Sequence, residues 1–141
     1  DTWLKGFGLE AAGYLIDLVQ QLSAQPPVYL DENEIRAVEK AKTILQASLK
    51  HPPAVIDLCR KVGVNKNKLQ KGFRLTEGKS VAEYVRTLRM ERALDLLEDD
   101  TLSIQDVAEK VGYNGISNFY AVFRQTFGDT PAAIQKLLET K

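Results

Sequence analysis

An all-α fold is predicted, in which two helix-turn-helix units are joined by a long connector helix and preceded by an amphipathic helix. Three observations predict it. Between turn signals, apolar residues fall at i, i+3 and i+4 rather than at every second position. Residues that cap helix N-termini, Asp31, Ser80, Ser103 and Thr130, each stand directly before such a run. The stretch Gly63 to Gly78 (GVNKNKLQKGFRLTEG) returns in layout as Gly112 to Gly128 (GYNGISNFYAVFRQTFG). At a shift of 49, Asp57, Lys61, Val62, Gly63 and Asn65 match Asp106, Lys110, Val111, Gly112 and Asn114. After one inserted residue, at a shift of 50, Phe73, Arg74, Thr76 and Gly78 match Phe123, Arg124, Thr126 and Gly128. Identities at turn, anchor and terminator positions together mark a structural repeat.

Residues 1–30 read as an amphipathic helix, with Leu9, Ala12, Leu15, Ile16, Val19 and Leu22 on one stripe, followed by a short extended linker with Pro26 and Pro27. Its apolar stripe either packs on the domain behind it or is left from a preceding sensor or dimerisation region. The start on Asp1 rather than Met reads as a fragment of something longer. Residues 31–141 carry the tandem units. Asp31 and Glu34 have capping-box spacing, with Leu30 and Ile35 placed for a hydrophobic staple. Ile35, Val38, Ala41, Ile44, Leu45 and Leu49 continue one helix face to a stop at Pro52 and Pro53, beside which His51 is a helix-end residue.

The first unit spans about 54–78. Val55, Leu58, Cys59 and Val62 face inward, Gly63 to Asn65 form the turn, and Leu69 and Phe73 anchor the second helix from Lys66 to Thr76. Gly72 in that helix costs about 1 kcal/mol relative to Ala, which points to a neighbouring helix too close for a side chain. The connector, about 80–98, opens on Ser80 and Glu83 and carries Val81, Tyr84, Val85, Leu88, Ala93, Leu94 and Leu97 inward. The second unit spans about 103–128, opened by Ser103 and Asp106 with Leu102 and Val107 as its staple. Thr130 and Pro131 start a last helix with Ala133, Ile134, Leu137 and Leu138 inward.

Composition narrows the function classes. One Cys (Cys59) and one His (His51) exclude an internal disulfide framework and the usual zinc-ligand sets, and point to a reducing compartment. No nucleophile–base pair, phosphate loop or carboxylate pair stands out, so no catalytic residue, metal or cofactor is assigned and an enzyme is not expected. The most apolar window, Gly8 to Leu22, is broken by Glu10, Asp17, Gln20 and Gln21, so no membrane span is expected. The formal net charge is zero, yet its distribution is uneven. From Arg60 to Arg92, ten basic residues stand against Glu77, Glu83 and Glu91, a local +7, whereas Ala93 to Glu109 holds six acidic residues and no basic one. With screening over about 8 Å at physiological salt, the local patch decides what approaches. The Lys66 to Arg74 helix therefore reads as a surface for phosphates, or as an ordinary solvated face.

The run RMERALDLLEDDTLSIQDVAEKVGYNGISNFYAVFRQTFGDTP closely resembles the signature of the AraC/XylS family of bacterial transcription regulators. The resemblance covers roughly Asp31 to Leu138 and includes Arg89, Ala93, the Val107 to Gly112 turn, Phe119, Phe123, Gly128 and Pro131. It implies a cytoplasmic, nucleoid-associated regulator whose two recognition helices read neighbouring major-groove segments of double-stranded DNA. It further implies RNA polymerase as a partner, an effector bound by a separate N-terminal domain, and a protein able to form a homodimer. The segments LDENEIRAVEKAKTIL, HPPAVIDLCRKVGVNKNKLQKGFR and SVAEYVRTLRMERA look most like the subgroup responding to iron–siderophore complexes, which would make such a complex the effector.

Carried over by motif position, the resemblance puts Asn67, Gln70 and Lys71 on base edges and Lys66, Lys68 and Arg74 on phosphates. In the second unit the base-reading positions are Ile116, Ser117, Asn118, Tyr120 and Ala121, with Arg124 beside the phosphate path; Arg86 and Arg89 of the connector are also assigned to phosphates. Asn or Gln can pair bidentately with adenine and Lys can donate to guanine, each good pair giving about 1–3 kcal/mol of discrimination. The second helix departs from the family pattern: Ala121 and Gln125 stand where basic residues are common, and the usual Tyr-Arg pair of the last helix is replaced around Ile134 and Gln135. The first unit is therefore expected to supply most of the base reading. The alternative is a protein-interaction module of the same fold with weak or no DNA binding, favoured by the zero net charge and the weakly polar second helix.

Overall fold

A computed structural model describes Leu15, Ile16 and residues 29–140. Leu15 and Ile16 are helical and exposed, and the rest of the expected amphipathic helix and its Pro26–Pro27 linker lie outside the described residues. Residues 1–30 and 31–141 are separate compact units. Among the described residues, 31–140 contain seven helices, and no strand occurs.

Helix α1 (Glu32–Ala47) starts where the Asp31 carboxylate accepts the Glu34 amide at 2.7 Å. The reciprocal half of the expected capping box does not form. Glu34 shares its helical row with Val38, Ala41 and Leu45, all buried, so the phase of the helix turns its carboxylate inward, where Oε2 has no hydrogen-bond partner. The same phase leaves Ile35, the expected staple residue, 45% exposed. The helix ends at Ala47, short of the Pro52 stop, and Leu49 lies beyond it in the link to α2.

Helix α2 (Val55–Val62) buries Leu58 and Cys59, and burial pushes the Cys59 thiol above its ordinary value. Gly63 closes it in the left-handed region, φ +80°, and donates to the Cys59 carbonyl at 2.8 Å. Helix α3 (Lys66–Glu77) is opened by the Asn65 side chain accepting from the Lys68 amide at 2.8 Å. Gly72 fits the close contact expected of it: a Cβ there would lie 2.5 Å from Val38 Cγ2 on α1. Lys42 of α1 reaches Glu77 at the end of α3, Nζ to Oε1 2.7 Å, and this hydrogen bond raises the Lys42 pKa.

The connector α4 (Val81–Leu96) is capped by Ser80, whose hydroxyl accepts the Glu83 amide at 3.2 Å. Helix α5 (Ile104–Lys110) has the one complete capping box among the described helices, with Ser103 and Asp106 exchanging bonds of 3.0 Å. Those bonds hold the Asp106 carboxyl below its ordinary pKa. Helices α6 (Ile116–Phe127) and α7 (Pro131–Glu139) complete the chain, and Gln135 of α7 donates to the Leu97 carbonyl at the end of the connector, 3.2 Å.

Two separate hydrophobic clusters result. Val38, Leu45, Leu58, Leu69, Phe73 and Tyr84 lead the first, and Met90, Ala93, Leu97, Val107, Phe119 and Phe123 the second. Burying each phenylalanine contributes about 1.5–3 kcal/mol. Only α4 supplies both clusters: Val81 and Tyr84 go to the first, Met90 and Ala93 to the second.

Because Val38 occupies the space a Cβ would need, Gly72→Ala is expected to destabilise the first cluster by about 1–3 kcal/mol. In urea unfolding, the Gly72→Ala/Val38→Ala pair should lose clearly less than the sum of the single losses.

Candidate nucleic-acid interface

The repeat in the sequence becomes two matched helices. Helices α3 and α6 are each 12 residues long, each ends on a left-handed glycine (Gly78, Gly128), and each is held by two fully buried anchors at i and i+4, Leu69 with Phe73 and Phe119 with Phe123. With that stripe buried, the geometry of the helix sends the remaining positions outward.

On α3 the outward residues are Lys66, Asn67, Lys68, Lys71 and Arg74, all exposed. Glu77 is the sole acidic residue of this helix, and Lys42 occupies it at the far end. None of the four cations makes an ion pair among the described residues, so the face is left electropositive. Gln70 is placed differently from its neighbours. Its side-chain oxygen accepts the Val81 amide at 3.1 Å, so it completes the first turn of α4 instead of standing free beside Lys71.

On α6, Ile116, Ser117, Asn118, Ala121, Arg124 and Gln125 are exposed, with Arg124 the one basic residue of the helix. Tyr120 is half-buried, its ring edge-on to Phe119 at 6.4 Å between centroids. No side chain caps α6, because the residue inserted in the second copy puts Gly115, and not Asn114, at the N-cap that Asn65 fills on α3. The outer face of the second unit is thus far less charged than that of the first.

Between the units lies a cleft of about 420 Å³, floored by Pro52, Pro53, Val55, Val81 and Val85 and bordered by Arg86, Arg89, Tyr113 and Asn118. Arg86 is exposed at its rim. Arg89, assigned to a phosphate on sequence grounds, is engaged within the fold: Nε donates to the Leu49 carbonyl at 3.1 Å, and the guanidinium lies 5.3 Å above the Tyr113 ring centre. Burial pushes the Tyr113 phenol above its ordinary pKa, opposed by Arg89 and Arg86 beside it. Arg89 follows Val81 and Val85 at four-residue intervals, so its inward direction was legible in the helical row. Tyr113, a buried member of the second turn, carried no such signal.

Residues 58–137 match a family described as a helix-turn-helix domain. The chain is 28% identical over 131 residues to the Msm operon regulatory protein of Streptococcus mutans, covering 90% of this chain and 47% of that protein. It is 31% identical over 114 residues to the HTH-type transcriptional activator RhaR of Pectobacterium atrosepticum, covering 81% of this chain and 39% of that one. The chain thus spans less than half the length of these curated relatives. Its fold is similar to that of a transcriptional regulator with an AraC-type DNA-binding domain from Chromobacterium violaceum: TM-score 0.68 at 24% identity, over 72% of this chain and 91% of that one.

Since Gln70 satisfies an amide in the first turn of α4, Gln70→Ala should lower stability by about 1 kcal/mol, measured by chemical denaturation. An unchanged midpoint would show that the bond to Val81 contributes nothing.

Proposed function

The chain belongs to the AraC-type helix-turn-helix family, and from that premise we propose that it is the DNA-binding part of a transcription regulator, α3 and α6 each reading a segment of major groove. The observation that carries this reading is the exposed, unpaired cationic face of α3 on a helix whose opposite side is fully buried. A helix of this kind fits the major groove, where base edges offer distinguishable donors and acceptors while flanking cations meet phosphates.

Asn67 and Lys71 are the base-reading side chains of the first helix, with Lys66, Lys68 and Arg74 on the backbone. In the second, Ser117, Asn118 and Arg124 supply the polar contacts, and Ile116 and Ala121 offer apolar surface suited to thymine methyl groups. Gln70 and Arg89, with their bonds already made inside the fold, serve the interface by holding its parts. Arg86 remains a phosphate contact.

The finer reading extends to the whole protein. It acts on chromosomal DNA in the cytoplasm, engages RNA polymerase, dimerises, and answers to an effector bound outside the DNA-binding part. The three segments that look like the siderophore-responsive subgroup support an iron–siderophore complex in that role. A gel shift with duplexes from the promoter the protein controls separates DNA reading from a protein-interaction role, and absence of any shift overturns the proposal.

Two outcomes are expected of quantitative binding. Lys71→Ala should erase more base discrimination than Asn118→Ala across single-base operator variants, with a loss of about 1–3 kcal/mol at the contacted base; the reverse order would move the main reading head to α6. Affinity should also fall by about 10³ to 10⁵ between 50 and 200 mM salt if six to ten phosphates are engaged. A flat salt titration is incompatible with the backbone contacts assigned to Lys66, Lys68, Arg74, Arg86 and Arg124.

A further inference from the structure

We propose that Arg89 is a positioning residue that sets the distance and angle between the two reading helices, and so the half-site spacing the protein accepts; the inference rests on the DNA-reading function proposed above. The two hydrophobic clusters share no residue. Every principal helix–helix packing lies among α1, α2 and α3, among α5, α6 and α7, or on the connector, and the space between the two groups is a cleft instead of a packed seam. The mutual orientation of the heads is therefore left to α4 and to whatever bridges the cleft.

Arg89 bridges it. From the middle of α4 its Nε binds the Leu49 carbonyl, in the link that leads from α1 into the first unit, and the same planar guanidinium covers Tyr113, which belongs to the turn of the second. The surrounding backbone is shaped to that guanidinium. Gly112 holds φ +104°, and a Cβ there would come 2.8 Å from Arg89 Nη2 and 3.0 Å from the Leu49 oxygen, so the second turn is brought directly against that link. A lysine could offer a charge but not a fork that donates in its plane while stacking through its face. The α1–α2 link, the second turn and the connector thus meet at one side chain.

Two linked heads gain affinity when their separation matches the target, by a factor that falls once the link loosens. Loosening the bridge should leave each head's base preference intact while widening the separations tolerated. A merely structural role would instead weaken binding to every target alike.

The test is enrichment of a random-sequence duplex pool by the wild-type chain, by Arg89→Ala and by Tyr113→Leu, with thermal melting recorded alongside. Tyr113→Leu keeps apolar volume and the Leu49 bond, and decides the question if Arg89→Ala does not fold. The wild type is expected to enrich two motifs at one separation, about one helical turn or 10.5 base pairs. Both variants are expected to enrich the same motifs over a broadened set of separations. They should bind the wild-type separation on the order of tenfold more weakly, and a single motif equally well. A variant that keeps the single sharp separation, whatever its melting temperature, overturns the proposal, as does a wild type that enriches one motif alone. A wild type that enriches nothing overturns the DNA-reading function and this inference with it.

Discussion

The architecture depends on one helix being buried by two different partners. Residues Val81 and Tyr84 of α4 are committed to the first hydrophobic cluster and Met90 and Ala93 to the second. Each cluster draws buried residues from its half of α4, and a helix of seven or eight residues such as α5 or α2 is not stable without such packing. The connector is therefore part of both cores and not a tether between them. By entering both, it joins two small clusters into a body with two outward faces.

Each outward face exists because its helix is pinned from behind. Leu69 with Phe73, and Phe119 with Phe123, bury one stripe completely, and the positions opposite are left with no role in packing. What stands there differs between the units. On α3, four cations are kept unneutralised while Glu77 is drawn away by Lys42; on α6, one arginine stands among Ile116, Ser117, Asn118 and Ala121. A chain of zero net charge thus carries a local electropositive face, which explains why the sum of charges is a poor guide to its partners.

Much of this was legible in the sequence. The order of helices follows from the apolar period and from Asp31, Ser80, Ser103 and Thr130, each of which caps the helix it precedes. The repeat of Gly63 to Gly78 at Gly112 to Gly128 located the matched helices α3 and α6, and the demand of Gly72 for a close neighbour was met by Val38. These features are local or periodic: a cap acts over three residues, a stripe repeats every turn, and a glycine in mid-helix has few explanations.

The tertiary structure decided what polar and charged side chains do once helices meet. Glu34 has capping-box spacing yet turns into the core, Gln70 looks like a reader yet closes the first turn of α4, and Arg89 looks like a phosphate contact yet joins Leu49 to Tyr113. In each case the residue type and its position were visible, but its partner lay 11 to 40 residues away or, for Glu34, was missing. A hydrogen bond between distant segments is set by the crossing of helices, and no local period records it. The sequence by itself determined which helices form and, apart from Ile35 and Leu137, which faces they bury; only the packing determined which long side chains remain free to meet a partner.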